Sequence, residues 1–151
     1  IKESYDYVLI DCPPSLAMLT INALSAADEV LIPVQAQYLP AKGMTKLLRT
    51  VSKVQRKINN NLKIAGVAIT LADMKTNLAK DTIEMIHENF GQHFKVFNSV
   101  IPVAVKASEA SVSGKSVYSY ARDSKVAVAY DELTKEVIHA SKEKRRSDLI
   151  R

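Results

Sequence analysis

Short apolar runs alternate with amphipathic helical patterns along the chain, and this alternation restricts the fold more than any other feature. The runs are continuous in hydrophobicity, as is typical of strands covered on both faces of a parallel sheet. Parallel neighbours need a crossover of about a dozen residues or more, and the helical patterns supply it. We therefore predict an α/β fold, a parallel sheet flanked by helices, with strands at Val8–Ile10, Val30–Val34, Ile64–Thr70 and Val96–Ile101.

Helices are predicted in the intervals that separate these strands and near the end of the chain. Ser15 has a side chain that can cap the first helix. The chain length suits one domain, predicted to span residues 1–151. Apolar positions at helical spacing predict helices over Leu16–Leu24, from about Pro40 to Ile58, up to about Phe90, and through Val126, Tyr130, Leu133 and Val137.

Composition and charge narrow the setting and the partners. Cys12 is the single cysteine, so an internal disulfide is excluded and a reducing cytoplasm is the expected location. The net charge of +5 is compatible with an anionic partner such as nucleic acid. No apolar run approaches the roughly 20 residues that span a bilayer. The basic tail has large apolar residues only at Leu149 and Ile150, so no membrane anchor is expected.

The segment "YDYVLIDCPPSL" places a carboxylate where a strand is predicted to end. Pro13 and Pro14 cannot donate ladder hydrogen bonds, so they direct the backbone out of the sheet just after Asp11. Ligands of open α/β sheets bind beyond the carboxyl ends of the strands, and hydrated Mg²⁺ favours one or two carboxylates there. Asp11 is therefore either a magnesium-site residue or a cap of the following helix.

Three blocks of the chain resemble the ParA/Soj family of deviant P-loop ATPases, which segregate plasmids and chromosomes. The blocks are "YDYVLIDCPPSLAMLTINALSAADEVLIPVQAQYLPAKGM", "GVAITLADMKTNLAKD" and "VIPVAVKASEASVSGKSVYSYARDSKVAVAY". They occur in the family's order, and the similarity covers nearly every residue from Tyr5 to Ile138. The resemblance implies a partitioning ATPase that dimerises with ATP, binds DNA without sequence preference and responds to a centromere-binding ParB-like protein. Such a protein would work in the cytoplasm, on the nucleoid.

The resemblance also implies a nucleotide site for ATP and Mg²⁺. Asp11 resembles the Walker B aspartate, the catalytic residue that holds Mg²⁺ through water, and Pro13 lies beside it. Val103 stands where the family usually has arginine, so a main-chain contact is the one expected there. The resemblance places five strand-end residues beside the adenine: Thr70, Leu71, Ile101, Pro102 and Val103. The alternative for these residues is packing alone.

The family's phosphate-binding loop has no counterpart in this sequence. No G-x-x-x-x-G-K-[ST] pattern occurs, and the four glycines are scattered. Phosphoryl transfer needs backbone amides, lysine and metal acting together, which one aspartate cannot replace. The expectation is therefore an incomplete P-loop NTPase fold, the C-terminal portion of a ParA-like domain. The intact parent would hydrolyse ATP, whereas this chain alone would be inactive and need bind neither ATP nor Mg²⁺.

Lysines occupy positions where Soj-like proteins carry arginines that bind DNA. Lys75, Lys80 and Lys106 keep the positive charge that phosphate contact requires, and Lys115 extends the set. Each of them is alternatively an ordinary solvated surface charge. Two other functions stay open: a noncatalytic DNA- or protein-binding module on the same scaffold, and a MinD-like membrane-associated ATPase of division-site placement.

Overall fold

This computed structural model describes residues 4–13 and 17–149, with the side chains of all of these except 38–42 and 144–149. Helices and strands alternate along most of the described chain. In chain order they are α1 (Met18–Ala26), β1 (Glu29–Gln35), α2 (Tyr38–Lys57), β2 (Lys63–Ala72), α3 (Asn77–Phe90), β3 (Val96–Pro102), α4 (Val105–Val112), α5 (Val117–Tyr120) and α6 (Lys125–Leu149).

The chain divides into two compact units. The first comprises Ile1–Val30 and Thr45–Lys63, and the second comprises Leu31–Met44 and Ile64–Arg151. The division falls inside β1, α2 and β2. The single domain over residues 1–151 stays a prediction.

The three strands form one sheet in the order β1-β2-β3. β2 and β3 are parallel, with Val67 opposite Val96 and Ala72 opposite Pro102. Pro33 lies within β1, the terminal strand of this order, where a residue without an N–H is tolerated. The predicted α/β fold with a parallel sheet flanked by helices is confirmed, and three of its strands lie within two residues of their predicted bounds.

The fourth predicted strand, Val8–Ile10, is wrong for this structure. Residues 7–13 have no regular secondary structure, and Leu9 is 93% exposed. A strand needs a neighbour for its N–H and C=O groups, and no strand of the described residues pairs with this segment. The predicted cap Ser15 lies outside the described residues. α1 follows Ala17, which makes no side-chain capping bond.

Two irregularities interrupt the pairing of β2 with β3. A step of two residues on β2, from Val67 to Ile69, faces a step of four on β3, from Val96 to Val100. The next step runs the other way, with three residues of β2 up to Ala72 facing two of β3. Such bulges bend a strand and redirect its side chains. The second bulge contains Leu71.

The core of the second unit lies between β3 and α6. Phe97 and Ile101 of β3 are buried together with Val126 and Leu133 of α6, two positions of the predicted apolar face. Tyr130, predicted on the same face, is exposed instead. The short helices α4 and α5 have no counterpart among the sequence predictions, because few turns give little periodic signal.

The first unit is held by a polar cross-link as well as by apolar packing. Val51 and Val54 of α2 are buried, whereas Ile58 lies beyond the helix end and is exposed. The Asn59 side chain donates hydrogen bonds to the carbonyl oxygens of Leu24 (3.0 Å) and Ala27 (2.8 Å). These carbonyls end α1, so Asn59 supplies the donors that the helix terminus lacks.

Candidate functional site

Asp11 and Pro13 lie in the exposed segment of the first unit. The carboxylate of Asp11 is open to solvent, and the thiol of the adjacent Cys12 faces the carbonyl oxygen of Ile10 at 3.7 Å. An exposed carboxylate has the chemistry that an outer-shell contact to hydrated Mg²⁺ requires. In this structure no strand end positions it, so the predicted magnesium role stays a prediction.

Thr70 and Leu71 lie where the carboxyl end of β2 bulges. The Thr70 hydroxyl donates to the carbonyl oxygen of Val34 (3.3 Å), and its own carbonyl accepts from Ala36 N–H (2.9 Å). Leu71 has a φ of 49°, a left-handed conformation that costs a non-glycine residue about 1–2 kcal/mol. Its side chain is 47% exposed. The predicted position of Leu71 beside a base stays a prediction.

Ile101, Pro102 and Val103 lie at the carboxyl end of β3, next to Ala72 of β2. Ile101 is buried in the core, whereas Val103 is 61% exposed. The N–H of Val103 donates to the carbonyl oxygen of Ala72 (3.1 Å), and Pro102 has no N–H. The main chain here therefore offers carbonyl acceptors to a ligand, and the exposed side chain adds an apolar surface.

Lys75 and Lys80 flank the start of α3, which follows β2. Asp73 forms the turn by accepting from Lys75 N–H (3.2 Å), and the Thr76 hydroxyl caps the helix by accepting from Ala79 N–H (3.2 Å). Both lysine side chains are exposed. Since a helix N-terminus carries a partial positive charge, the two lysines reinforce a potential that attracts anions.

Lys106 lies in the first turn of α4, which follows β3. Its ammonium group is 2.9 Å from Glu109 Oε2 and 5.7 Å from the ring centroid of Tyr120. The Tyr120 hydroxyl donates to the same Oε2 atom at 3.3 Å. The hydrogen bond and charge of Glu109 raise the pKa of Lys106, and the hydrogen bond from Lys106 lowers the pKa of Glu109. Lys106 is therefore charged and already engaged.

A second cluster surrounds Tyr118 on α5. The guanidinium carbon of Arg122 is 5.7 Å from the Tyr118 ring centroid. Asp131 pairs with Lys135 at 2.6 Å, and the hydrogen bonds from Lys135 and then Tyr118 lower the pKa of Asp131. α5 thus presents two tyrosines, each beside a cation and a carboxylate, to α4 on one side and α6 on the other.

Lys115 follows the end of α4 in a turn closed by its own N–H, which donates to Ala110 O at 3.0 Å. Gly114 precedes it with a φ of 63°, which glycine adopts without strain. The Lys115 side chain is exposed. Lys106 therefore lies in the first turn of α4 and Lys115 just beyond its end.

Sequence reasoning missed Glu109 and Arg122, which engage Lys106 and Tyr118. The spacing of three residues in "KASE" is a signal for the first pair, because side chains at i and i+3 meet on a helix. The contact of Arg122 with Tyr118 depends on the turn after α5, and no periodic pattern indicates it. Within the described ranges, no three His, Cys, Asp or Glu side chains gather as a metal-binding group.

Comparison with known proteins places this geometry in a family. A family model described as an AAA domain matches residues 1–64. The sporulation initiation inhibitor protein Soj of Bacillus subtilis is 47% identical over 137 residues, which cover 91% of this chain and 53% of that protein. The chromosome-partitioning ATPase Soj of Treponema pallidum is 44% identical over 138 residues, 91% of this chain and 54% of that protein. This chain belongs to the ParA/Soj family.

This chain spans about half the length of the curated relatives it matches. A solved structure supports the fold: cobyrinic acid a,c-diamide synthase from Mycobacterium smegmatis, with bound ATP analog and magnesium. It is 35% identical with a TM-score of 0.70, and the match covers 85% of this chain and 46% of that one. Among the described residues, no helix combines the length and apolarity that a membrane crossing needs.

Proposed function

We propose that this chain is part of a partitioning ATPase whose sheet edge contacts nucleotide and whose lysines contact DNA phosphates. One observation carries the proposal: Ala72 and Pro102 lie side by side at the carboxyl ends of parallel strands. The helices that follow, α3 and α4, therefore begin at the same edge of the sheet. Lys75 and Lys106 are thus brought to the edge at which Leu71 and Val103 are exposed.

Nonspecific DNA binding suits the chemistry of this edge. Phosphate contacts are electrostatic and carry no sequence information, and lysine acts there as a point charge. The start of α3 adds its own partial positive charge beside Lys75 and Lys80. Relatives named as chromosome-partitioning proteins support the same role. The proposed parent binds DNA as an ATP-dependent homodimer on the nucleoid and is stimulated by a ParB-like centromere-binding protein.

The proposed adenine contact uses exposed apolar side chains and carbonyl oxygens. Leu71 and Val103 flank the Ala72–Pro102 pair and offer an apolar surface to a base. The N–H of Val103 is held by Ala72, so the exocyclic amine of adenine would donate to a main-chain carbonyl of this segment. The chemistry of these groups fits a nucleotide base. Thr70 supports the site indirectly, by fixing the end of β2 to Val34 and Ala36.

Asp11 is proposed to orient water molecules around Mg²⁺ in the parent. Magnesium, when bound, neutralises charge on the phosphate oxygens during transfer. The carboxylate of Asp11 would accept hydrogen bonds from the metal's water ligands, as its exposure allows. We propose that hydrolysis belongs to a longer protein and that the 151-residue chain alone hydrolyses no ATP, because the sequence contains no G-x-x-x-x-G-K-[ST] pattern.

The DNA role is tested by the anisotropy of a labelled duplex titrated with the chain over a range of salt concentrations. The variant Lys75→Gln/Lys80→Gln is compared with the control Lys46→Gln/Lys53→Gln, two exposed lysines of α2. We expect weaker DNA binding for Lys75→Gln/Lys80→Gln alone. Its slope of log affinity against log salt concentration should be smaller by about two, because each phosphate contact contributes about 0.9. Equal losses in both pairs would contradict a defined lysine surface.

The nucleotide role is tested with the chain and with the longer product of the same gene. We expect Mg²⁺-dependent hydrolysis from the longer protein only, and its loss in the Asp11→Asn variant. Hydrolysis by the 151-residue chain, or unchanged activity of the Asp11→Asn protein, would overturn the assignment.

A further inference from the structure

Lys106 differs from the other proposed DNA-contacting lysines in having a partner. Its ammonium group is 2.9 Å from Glu109 Oε2 and lies over the Tyr120 ring. No carboxylate within the described part of the chain forms an ion pair with Lys75, Lys80 or Lys115. Among these four lysines, Lys106 is therefore already paired with a carboxylate before DNA binds.

The position of Glu109 is itself fixed by a second donor. The Tyr120 hydroxyl donates to the oxygen that Lys106 contacts, so one carboxylate oxygen accepts from both residues. Tyr120 lies on α5, and its bond holds the Glu109 side chain from outside α4. When the Lys106 ammonium group turns towards a phosphate, the Glu109 carboxylate therefore stays in place, close to that ammonium group.

The pair is exposed enough to exchange partners. The side chains of Lys106 and Glu109 are 55% and 40% exposed. Exposed ion pairs contribute little, a factor of up to about five in an equilibrium constant. A DNA phosphate can therefore displace the Glu109 carboxylate from Lys106. The affinity gained from that contact is reduced by the free energy of the broken Lys106–Glu109 ion pair.

We propose that Glu109 is an intramolecular competitor for Lys106 that lowers the affinity of this surface for DNA. The inference rests on the proposed DNA-binding function. A carboxylate and a phosphate compete for the same ammonium group, and the released Glu109, still held by Tyr120, repels the phosphate. DNA binding is thereby kept weak at Lys106 while the other lysines remain available.

The test is a double-mutant cycle of Glu109→Gln, Lys106→Gln and the double variant, read by duplex DNA affinity at several salt concentrations. Glutamine keeps the size of each side chain, and far-UV circular dichroism checks that α4 remains folded. We expect Glu109→Gln to tighten binding about two- to fivefold with Lys106 present. The gain with Lys106→Gln should be clearly smaller, since only general charge repulsion is then relieved. The salt slope should rise by about one in Glu109→Gln alone.

Equal gains in both backgrounds would overturn the competition while leaving DNA binding intact. A Tyr120→Phe variant gives a second measurement: it frees the Glu109 side chain and should change affinity only when Glu109 is present. A Tyr120→Phe effect that persists in Glu109→Gln would count against the proposal.

A measurement without DNA separates this inference from the function on which it rests. The side-chain amine of Lys106 is titrated by NMR in the wild-type chain and in Glu109→Gln, and we expect the Lys106 pKa to fall in the variant. An unchanged Lys106 pKa would show that the pair is not formed in solution and overturn the competition directly. If the pKa falls but no variant binds DNA at any salt concentration, the proposed DNA function fails, and the regulatory role fails with it.

Discussion

The carboxylate of Glu136 accepts a hydrogen bond from the backbone N–H of Ser99, 2.8 Å from its Oε1 atom. The adjacent N–H of Asn98 donates to the other carboxylate oxygen at 3.0 Å, and the Ser99 hydroxyl adds a third bond. Consecutive amides of a regular strand point in opposite directions, so one acceptor reaches both only where β3 bulges. Glu136 thus fastens α6 to the irregular edge of the sheet.

Replacing Glu136 with glutamine should destabilise the second unit by about 1 kcal/mol. Glutamine retains one acceptor oxygen, but its amide group cannot accept from Asn98, and the charge that strengthens these bonds is lost. The midpoint of urea unfolding measures the change, with Glu132→Gln, an exposed position of the same helix, as control. Equal midpoints for both variants would contradict the fastening role.

The contribution of Glu136 should disappear in acid. Burial acts to raise the pKa of Glu136, but the bonds from Ser99 and Asn98 together outweigh it, so the pKa lies below its usual value of 4.5. A carboxyl group with a lowered folded pKa stabilises the protein above its unfolded pKa, and this contribution is lost as the pH falls through the folded value. The difference in unfolding free energy between the wild type and Glu136→Gln should be constant at neutral pH and shrink below about pH 4.5. A difference in unfolding free energy that grew on acidification would contradict a lowered pKa of Glu136.

Gly66 of β2 should not tolerate alanine. A Cβ atom there would lie 2.6 Å from Cε2 of Phe97 and 2.7 Å from the carbonyl oxygen of Lys95, and the backbone atom cannot move aside cheaply. We expect Gly66→Ala to cost about 2–3 kcal/mol in unfolding free energy, as overpacked cores do. Gly43→Ala is the matched control: its Cβ meets nothing within 4 Å, and alanine favours the helix by up to about 1 kcal/mol. Thermal melts of the two variants should therefore shift in opposite directions.

Asn59 should be required for the end of α1. Asn59→Ala removes both side-chain donors from Leu24 and Ala27 and should cost about 1–2 kcal/mol. Amide hydrogen exchange along α1 measures the change locally, and Asn60→Ala, an exposed neighbour, should leave it unaffected. Identical exchange in the two variants would mean that the cross-link is not formed in solution.

Sequence reasoning succeeded where local pattern and burial agree. Ile64–Thr70 is continuous in hydrophobicity, and its strand in the structure, Lys63–Ala72, is buried over most of its length. Val8–Ile10 has the same local pattern. A strand also needs a neighbouring strand for its backbone hydrogen bonds, however, and no described strand pairs with this segment. The cross-link made by Asn59 has no such signal, because no sequence pattern indicates donors for carbonyls more than 30 residues away.

The candidate site was predictable only in part, for a similar reason. Thr70 and Ile101 were expected at strand ends, and they lie there because strand bounds follow hydrophobic runs. The left-handed conformation of Leu71 depends on a mismatch between two strands, which neither strand's sequence reveals. The engagement of Lys106 by Tyr120 depends on how α5 meets α4, and this is a property of tertiary structure.

The exposed segment around Leu9 has a consequence for handling the isolated chain. Tyr7, Val8, Leu9 and Ile10 favour β-structure, and outside a sheet they can recruit the same stretch from another molecule. Asp6 and Asp11 bracket them with negative charge, which is how natural sequences keep such stretches soluble. That protection is electrostatic, so concentrated samples should form intermolecular β-structure most readily at high salt, where the charges are screened.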